Sequence, residues 1–107
     1  PLLFVATMEG ELKAHAFKLV TDLRLKGLAV DFDPRGGKIK RQAERASAVK
    51  ARHFVVYGQS EHEAKVLKIK NMDLPDADPN KEVSVPLDDL APWLLNASKA
   101  VSVSSSP

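Results

Sequence analysis

Basic side chains are concentrated between residues 35 and 52 of this 107-residue sequence, where Glu44 is the single acid among them. The bases are Arg35, Lys38, Lys40, Arg41, Arg45, Lys50 and Arg52. Guanidinium and ammonium groups gathered on one surface bind the phosphates of a polyanion. The stretch lacks the set of acids and nucleophiles that catalysis needs. Its residue types therefore indicate nucleic-acid binding rather than a reaction.

A helix that lies between two strands must position these basic side chains. Apolar runs at residues 28–32 and 54–56 predict the strands, and the Gly36–Gly37 turn begins the helix. Helical spacing leaves a small apolar stripe on that helix for packing against a sheet. The stripe consists of Ile39, Ala43 and Ala46. One side of the predicted helix is thus apolar and the other is charged.

Strand and helix signals alternate in the remainder of the chain. Residues 2–6 form a continuous apolar run that is typical of a central strand, and residues 12–23 show helical spacing that ends at Gly27. Alternation at residues 65–70 predicts a strand with one solvated face, and residues 82–85 predict another short strand. A last helix begins after Pro86.

The resulting element order, β-α-β-α-β-β-β-α, predicts an α/β fold. Strands joined through helices form right-handed crossovers and hence a parallel core, whereas the late strands have short links and are expected to pair antiparallel. We therefore expect a three-layer sandwich with a mixed five-stranded sheet. The domain is predicted to cover residues 1–97, and the small, polar residues 98–107 are expected to be a flexible tail.

Composition excludes several classes of protein. The sequence has no cysteine, which excludes disulfides and cysteine-based metal sites and is compatible with a reducing cytoplasm. No apolar run approaches the ~20 residues that a membrane span needs. The net charge is only +2, so the basic stretch is a local asymmetry. Because the chain begins on a strand and without methionine, we expect it to be a domain of a longer protein.

Other polar and aromatic residues are explained by packing. His15, His53 and His62 lack the spacing of metal ligands, so packing or surface roles and no metal site are expected. Trp93 is expected to anchor the last helix in the core rather than to stack on a base. No serine, histidine and acid form a recognisable nucleophile motif.

The order and spacing of these segments resemble the anticodon-binding domain of class IIa aminoacyl-tRNA synthetases, and among them the histidyl enzymes. The resemblance extends over roughly residues 2–97, from FVA in the first strand, through FVV and a glycine in the third, to VPLDDLAPWL near the end. Its most discriminating part is GKIKRQAERA at residues 37–46, which is similar to the lysine-rich LKKQ…A helix of the histidyl enzymes.

The resemblance implies a site for the tRNA anticodon stem-loop. Two positions match base-contacting residues of the family: Glu61, three residues after the third-strand glycine Gly58, and Lys70, which ends the fourth strand. The turn that contains Arg35 and Gly36 also contributes in relatives. The remaining tRNA-binding candidates are Lys38, Arg41 and Arg45 for the RNA backbone and Lys65 and Lys68 for the loop.

For function, the resemblance implies a tRNA-binding module with no catalytic residue of its own. A separate catalytic domain of the parent, a histidine–tRNA ligase, would perform aminoacylation. ATP and histidine would bind only there, so no cofactor is expected in this domain. The parent is expected to be a cytoplasmic homodimer without membrane contact.

Two positions depart from the histidyl pattern, because Lys50 and Lys65 lie where family members often have glycine. Two alternative functions remain open from the sequence. A synthetase-like regulatory paralogue would use this domain for protein contacts in the control of histidine biosynthesis. A small stand-alone α/β phosphate-binding enzyme would use the Gly36–Gly37 turn and a pocket at the carboxyl ends of the strands.

Overall fold

The protein is described by a computed structural model that covers residues 1–7, 10–33, 35 and 37–105, with the backbone alone for residues 10, 11 and 98–105. The elements are β1 (Leu3–Ala6), α1 (Gly10–Leu25), β2 (Val30–Phe32), α2 (Ile39–Ala48), β3 (His53–Val56), α3 (Gln59–Ala64), β4 (Val66–Asn71), β5 (Glu82–Pro86), a 3₁₀ turn (Leu87–Asp89) and α4 (Leu90–Ser105).

The five strands form one mixed sheet in the order β2-β1-β3-β4-β5. β1 pairs parallel with β2 and with β3, whereas β4 pairs antiparallel with both β3 and β5. This arrangement confirms the predicted α/β sandwich, with a parallel core and an antiparallel end. The antiparallel end follows from the short connections on both sides of β4, which cannot form a crossover.

One face of the sheet is covered by α1 and α4. The side chains of this larger core come from alternate strand residues such as Leu3 and Val5 of β1, Val55 of β3 and Leu67 and Ile69 of β4. α1 contributes Leu12, Ala16, Val20 and Leu23, which are the residues whose helical spacing the sequence shows. The helix ends at Leu25, and the chain turns at Gly27, whose φ of +85° is the left-handed conformation that glycine tolerates best.

The other face of the sheet is covered by α2, and only over β1 and β3. Phe4 of β1 and Phe54 of β3 stack there with ring centroids 6.1 Å apart. Ala46 is fully buried against them, and Ile39 and Ala43 pack on the same smaller core, which confirms the apolar stripe. The main contacts of α2 with the sheet are thus to β1 and β3.

The structure corrects two details of the sequence interpretation. A short helix, α3, lies between β3 and β4 where none was predicted, because none of its six residues is buried and it therefore has no apolar periodicity. The last helix begins at Leu90, after the 3₁₀ turn, rather than directly after Pro86, and Pro92 lies in its first turn, where proline is tolerated. The backbone of α4 continues to Ser105, and the division into a domain of residues 1–97 and a flexible tail stays a prediction.

Candidate nucleic-acid interface

A groove opens where α2 stops covering the sheet. It has a volume of about 530 Å³, and we call it the β4 groove. Its lining residues are Ile39, Ala43, Phe54, Val56, Glu61, Lys68, Lys70, Met72, Asp76, Lys81 and Glu82. The α2 wall and the floor are apolar, whereas the β4 side and the rim are charged. A flat, apolar nucleobase with polar edges would fit a groove that has an apolar floor and a charged rim.

The two lysines of the groove are positioned by strand alternation. Leu67 and Ile69 of β4 are buried in the larger core, so Lys68 and Lys70 project from the opposite face of the strand. Lys70 is directly opposite Phe54 on β3. Both ammonium groups therefore stand over the uncovered part of the sheet, where no α2 side chain shields them from a ligand.

Glu61 reaches the groove from α3. Its Oε1 accepts the backbone N–H of Gly58 at 3.3 Å, which caps the first turn of the helix. A carboxylate in the first turn is also stabilised by the positive end of the helix dipole. With Oε1 in this bond, Oε2 can accept from the amino or imino group of a base.

The loop from Met72 to Lys81 forms the remaining rim. The structure shows consecutive turns here. Lys81 donates its Nζ to the carbonyl oxygen of Leu74 at 2.7 Å and lies 3.4 Å from the Asp76 carboxylate. Asp73 and Asn80 donate backbone N–H groups to Asn71 Oδ1 and Asp78 Oδ1. Lys81 was missed as a groove residue, because its role depends on a fold of the loop that no local pattern reveals.

Gln42 is the residue of the basic helix that the sequence interpretation overlooked. It is fully buried although charged residues surround it in sequence. Its carboxamide accepts the Thr7 N–H at 3.2 Å and donates to the carbonyl oxygens of Thr7 and Gly37, each at 2.9 Å. It thereby joins the end of β1 to the turn before α2. A signal was present, since position 42 lies on the same helical face as Ile39 and Ala46.

Arg35 and Arg45 meet at a shared acid rather than in the β4 groove. Asp33 is 7% exposed and accepts Arg35 Nε and Nη2, each at 3.1 Å, while Arg45 Nε lies 3.8 Å away. The hydrogen bonds from Arg35 hold the pKa of Asp33 below its usual value, and the pKa of Arg35 is raised in return. Both arginine side chains remain more than half exposed, so their outer edges can still contact phosphate.

The structure thus brings together three of the predicted tRNA-binding residues, Glu61, Lys68 and Lys70, in one groove. Lys38 and Arg41 are exposed at the start of α2, and Lys65 is exposed immediately after α3. Gly36 lies outside the described residues. The RNA-binding role of all of these residues stays a prediction.

The three histidines have packing and surface positions. His53 is buried, with its ring edge-to-face against Trp93 at 5.2 Å, and Trp93 packs on the larger core as expected. His15 and His62, which are distant in sequence, lie with ring centroids 4.4 Å apart. Among the described residues, no group of three His, Cys, Asp or Glu side chains could hold a metal ion. Nor is any helix in the described part of the chain both long and apolar enough to cross a membrane.

Comparison with known proteins decides between the alternative functions. Residues 3–97 match the family described as anticodon binding domain. The chain belongs to this family. That membership, the similar proteins below and the sheet topology favour the anticodon-binding interpretation over a regulatory paralogue or a phosphate-binding enzyme.

The similar proteins of this family are synthetases. The chain is 39% identical over 72 residues to histidine–tRNA ligase of Caldanaerobacter subterraneus subsp. tengcongensis, covering 67% of the chain and 17% of that protein. It is 35% identical over 94 residues to histidine–tRNA ligase of Staphylococcus carnosus, covering 88% of the chain and 21% of that protein. The crystal structure of apo S. aureus histidyl-tRNA synthetase superposes with a TM-score of 0.77 at 30% identity, covering 86% of the chain and 25% of that structure. The anticodon-binding domain here therefore spans about a fifth of its relatives' length.

The two departures from the histidyl pattern coincide with a backbone feature. Lys50 has φ +60° and Lys65 has φ +57°, and they are the non-glycine residues with positive φ among those described. Lys65 ends α3 in the left-handed conformation, where its N–H bonds to Glu61 O at 2.8 Å. Glycine is the residue that adopts this conformation without a steric penalty. This anticodon-binding domain therefore has lysine at two positions whose left-handed backbone conformation suits glycine.

Proposed function

We propose that this chain is the tRNA anticodon-binding module of a histidyl-tRNA synthetase, which positions histidine tRNA for aminoacylation by a separate catalytic domain. The observation that carries the proposal is the β4 groove. It places the Glu61 carboxylate and the ammonium groups of Lys68 and Lys70 beside an apolar floor, in a chain that is similar to histidine–tRNA ligases.

The groove is suited to unpaired bases rather than to a duplex. Sequence-specific RNA recognition uses splayed bases that contact apolar or aromatic surfaces and form hydrogen bonds along their edges. Val56 and Met72 present a partly exposed apolar surface for a base, and Phe54 lies beneath them. Glu61 can accept from a base amino or imino group, and Lys70 can donate to a base carbonyl oxygen or to phosphate.

The exposed basic side chains on α2 would contact the RNA backbone next to the groove. Lys38 and Arg41 are exposed and have no ion-pair partner among the described residues. Arg35 and Arg45 are oriented by their shared contact with Asp33, which reduces the side-chain freedom that an arginine loses when it binds phosphate. We therefore assign the groove to the loop bases and the α2 surface to phosphates.

A binding titration tests the proposal. The domain is titrated with histidine tRNA and with one non-cognate tRNA, at low and at moderate salt. We expect tighter binding to histidine tRNA, and we expect Lys70→Ala or Glu61→Gln to weaken it about tenfold or more, the loss of one charged hydrogen bond. Lys18→Ala is the matched control, because Lys18 is an exposed lysine on α1, on the opposite side of the sheet.

The outcomes separate the candidate functions. Equal, steeply salt-dependent binding to both tRNAs would mean that this module supplies only charge and that selectivity lies elsewhere in the parent. Absence of binding even at low salt would contradict the proposal. It would leave the regulatory paralogue as the better explanation of the fold.

The expectations about the parent protein are part of the same proposal. It would be a cytoplasmic homodimeric ligase in which ATP and histidine bind to the catalytic domain. The domain described here would bind the anticodon stem-loop and contact that catalytic domain, and would need no cofactor.

A further inference from the structure

α3 is held in place mainly by contacts outside itself. It has six residues, none of them buried, and a helix this short does not form stably alone. Its backbone ends are tied by Glu61 Oε1 to the Gly58 N–H and by Lys65 O to the Leu87 N–H at 2.8 Å. Neither bond fixes the rotation of the helix about its axis. A side-chain contact with the core is needed for that.

His62 supplies this contact. Its Nδ1 lies 2.9 Å from the hydroxyl of Tyr57, a residue that is 4% exposed and belongs to the larger core. Its ring also packs on the ring of His15 from α1 at a centroid distance of 4.4 Å. The imidazole is therefore held from two sides, by a strand and by a helix that both belong to the rigid part of the domain.

Adjacent residues of α3 face different cavities. Glu61 lines the β4 groove, whereas His62 lines a second cavity of about 410 Å³ beside α1 and the start of α4. Because the two residues are neighbours on one turn, a rotation that moved His62 would also move the Glu61 carboxylate. The contact on one side of α3 thus determines the position of the acid on the other.

We propose that Tyr57, His15 and His62 are positioning residues for RNA recognition, which hold Glu61 where it can accept a hydrogen bond from a base. The proposal rests on the proposed function for its effect on RNA, but its structural part stands on the contacts alone. The Tyr57 hydroxyl is the key group, since it is fixed by the core and touches α3 directly. None of these three residues contacts the β4 groove.

The test is a double-mutant cycle with Tyr57→Phe, which keeps the ring in the core and removes only the hydroxyl. We expect Tyr57→Phe to weaken binding to histidine tRNA about fivefold, the equivalent of one hydrogen bond. In the Glu61→Ala background the same substitution should have no further effect, because the acceptor that it positions is then absent. Gln59→Ala is the control, since Gln59 is on α3 and its exposed side chain donates to the Glu63 carboxylate.

A second measurement does not depend on RNA. Hydrogen exchange of the Gly58 and Lys65 amides should be several-fold faster in Tyr57→Phe, because their bonds to Glu61 then lie in a looser helix. The amide of Val55 in β3 should be unchanged. Equal losses of RNA affinity in both Glu61 backgrounds, or unchanged exchange at Gly58 and Lys65, would overturn the positioning role. If exchange changes but the unmodified domain binds no RNA, the proposed function fails and the positioning contact stands.

Discussion

The carboxamide of Gln42 pairs with both backbone polar groups of Thr7, accepting its N–H at 3.2 Å and donating to its carbonyl oxygen at 2.9 Å. The side chain thus forms the pair of backbone hydrogen bonds that a neighbouring strand would form at the end of β1. It also donates to the Gly37 carbonyl oxygen, so one buried amide joins the sheet to the turn before the basic helix. This connection fixes the position of α2 relative to the strands. Because α2 forms one wall of the β4 groove, the position of that wall is fixed as well.

Gln42→Ala should reduce the free energy of unfolding by about 2–3 kcal/mol, because it leaves a cavity and removes two buried hydrogen bonds to Thr7 and a partly buried one to the Gly37 carbonyl oxygen. Urea denaturation measures the change. Arg41→Ala is the control: the neighbouring side chain is exposed, and we expect an effect within about 0.5 kcal/mol. A loss below that limit for Gln42→Ala would mean that water replaces the carboxamide without cost.

Replacing Lys50 or Lys65 with glycine should stabilise the domain. Each lysine has a positive φ, and glycine at such a position gains about 0.5–1 kcal/mol relative to a residue with a Cβ. Thermal melting of each variant measures the gain. Lys18→Gly is the matched control, because Lys18 lies inside α1, where glycine costs about 1 kcal/mol. A fall in melting temperature for Lys50→Gly and Lys65→Gly would show that the lysine side chains contribute more than the strain removes.

His53 should make stability depend on pH below neutrality. Burial is the main cause that lowers its pKa from 6.5, and its Nδ1 lies 3.3 Å from the Leu2 carbonyl oxygen. The unfolded chain therefore takes up a proton near pH 6.5, whereas the folded protein does so only at lower pH. Stability is full above the unfolded pKa and falls as the pH drops towards the folded one, by up to about 1.4 kcal/mol per pH unit.

Denaturation of the unmodified domain and of His53→Asn, between pH 8 and pH 5, isolates this contribution. Whatever the absolute stability of the variant, its curve should be flatter in the acidic range than that of the unmodified domain. Identical curves would mean that another group causes the pH dependence. NMR titration of the His53 ring proton follows the same protonation directly.

Salt dependence should distinguish the groove from the rest of the surface. A module that neutralises about four phosphates loses RNA affinity with a log–log slope of about −3. Removing Lys68 and Lys70 together should reduce the magnitude of that slope by about 1.4 if both contact phosphate. Lys18→Ala should leave it unchanged. A weaker affinity with an unaltered slope would assign both lysines to base edges rather than to the RNA backbone.

The sheet and its main helices could be predicted because each has a strong periodic signal. Alternation in β4 correctly placed Lys68 and Lys70 on a solvated face, and helical spacing identified the stripe of α2. α3 was missed since nothing in it is buried. Local patterns identify elements through the side chains they bury, so an element that buries none is invisible to them.

The candidate site was predictable in part. Glu61 and Lys70 came from family resemblance and lie in one groove, but the contribution of Lys81 depends on how a loop folds. The contact between His15 and His62 joins residues 47 positions apart and has no local signal. The same holds for Arg45, whose acid partner Asp33 lies at the end of another element.

Alternate residues of β4 lie on opposite faces of the sheet and have different roles. Leu67 and Ile69 belong to the core, whereas Lys68 and Lys70 are exposed on the opposite face of the strand. Substitution of the lysines would therefore cost little folding free energy, as is usual for surface positions. On the proposed function, single exchanges at Lys68 and Lys70 could therefore change which bases the domain prefers without any repacking of its interior.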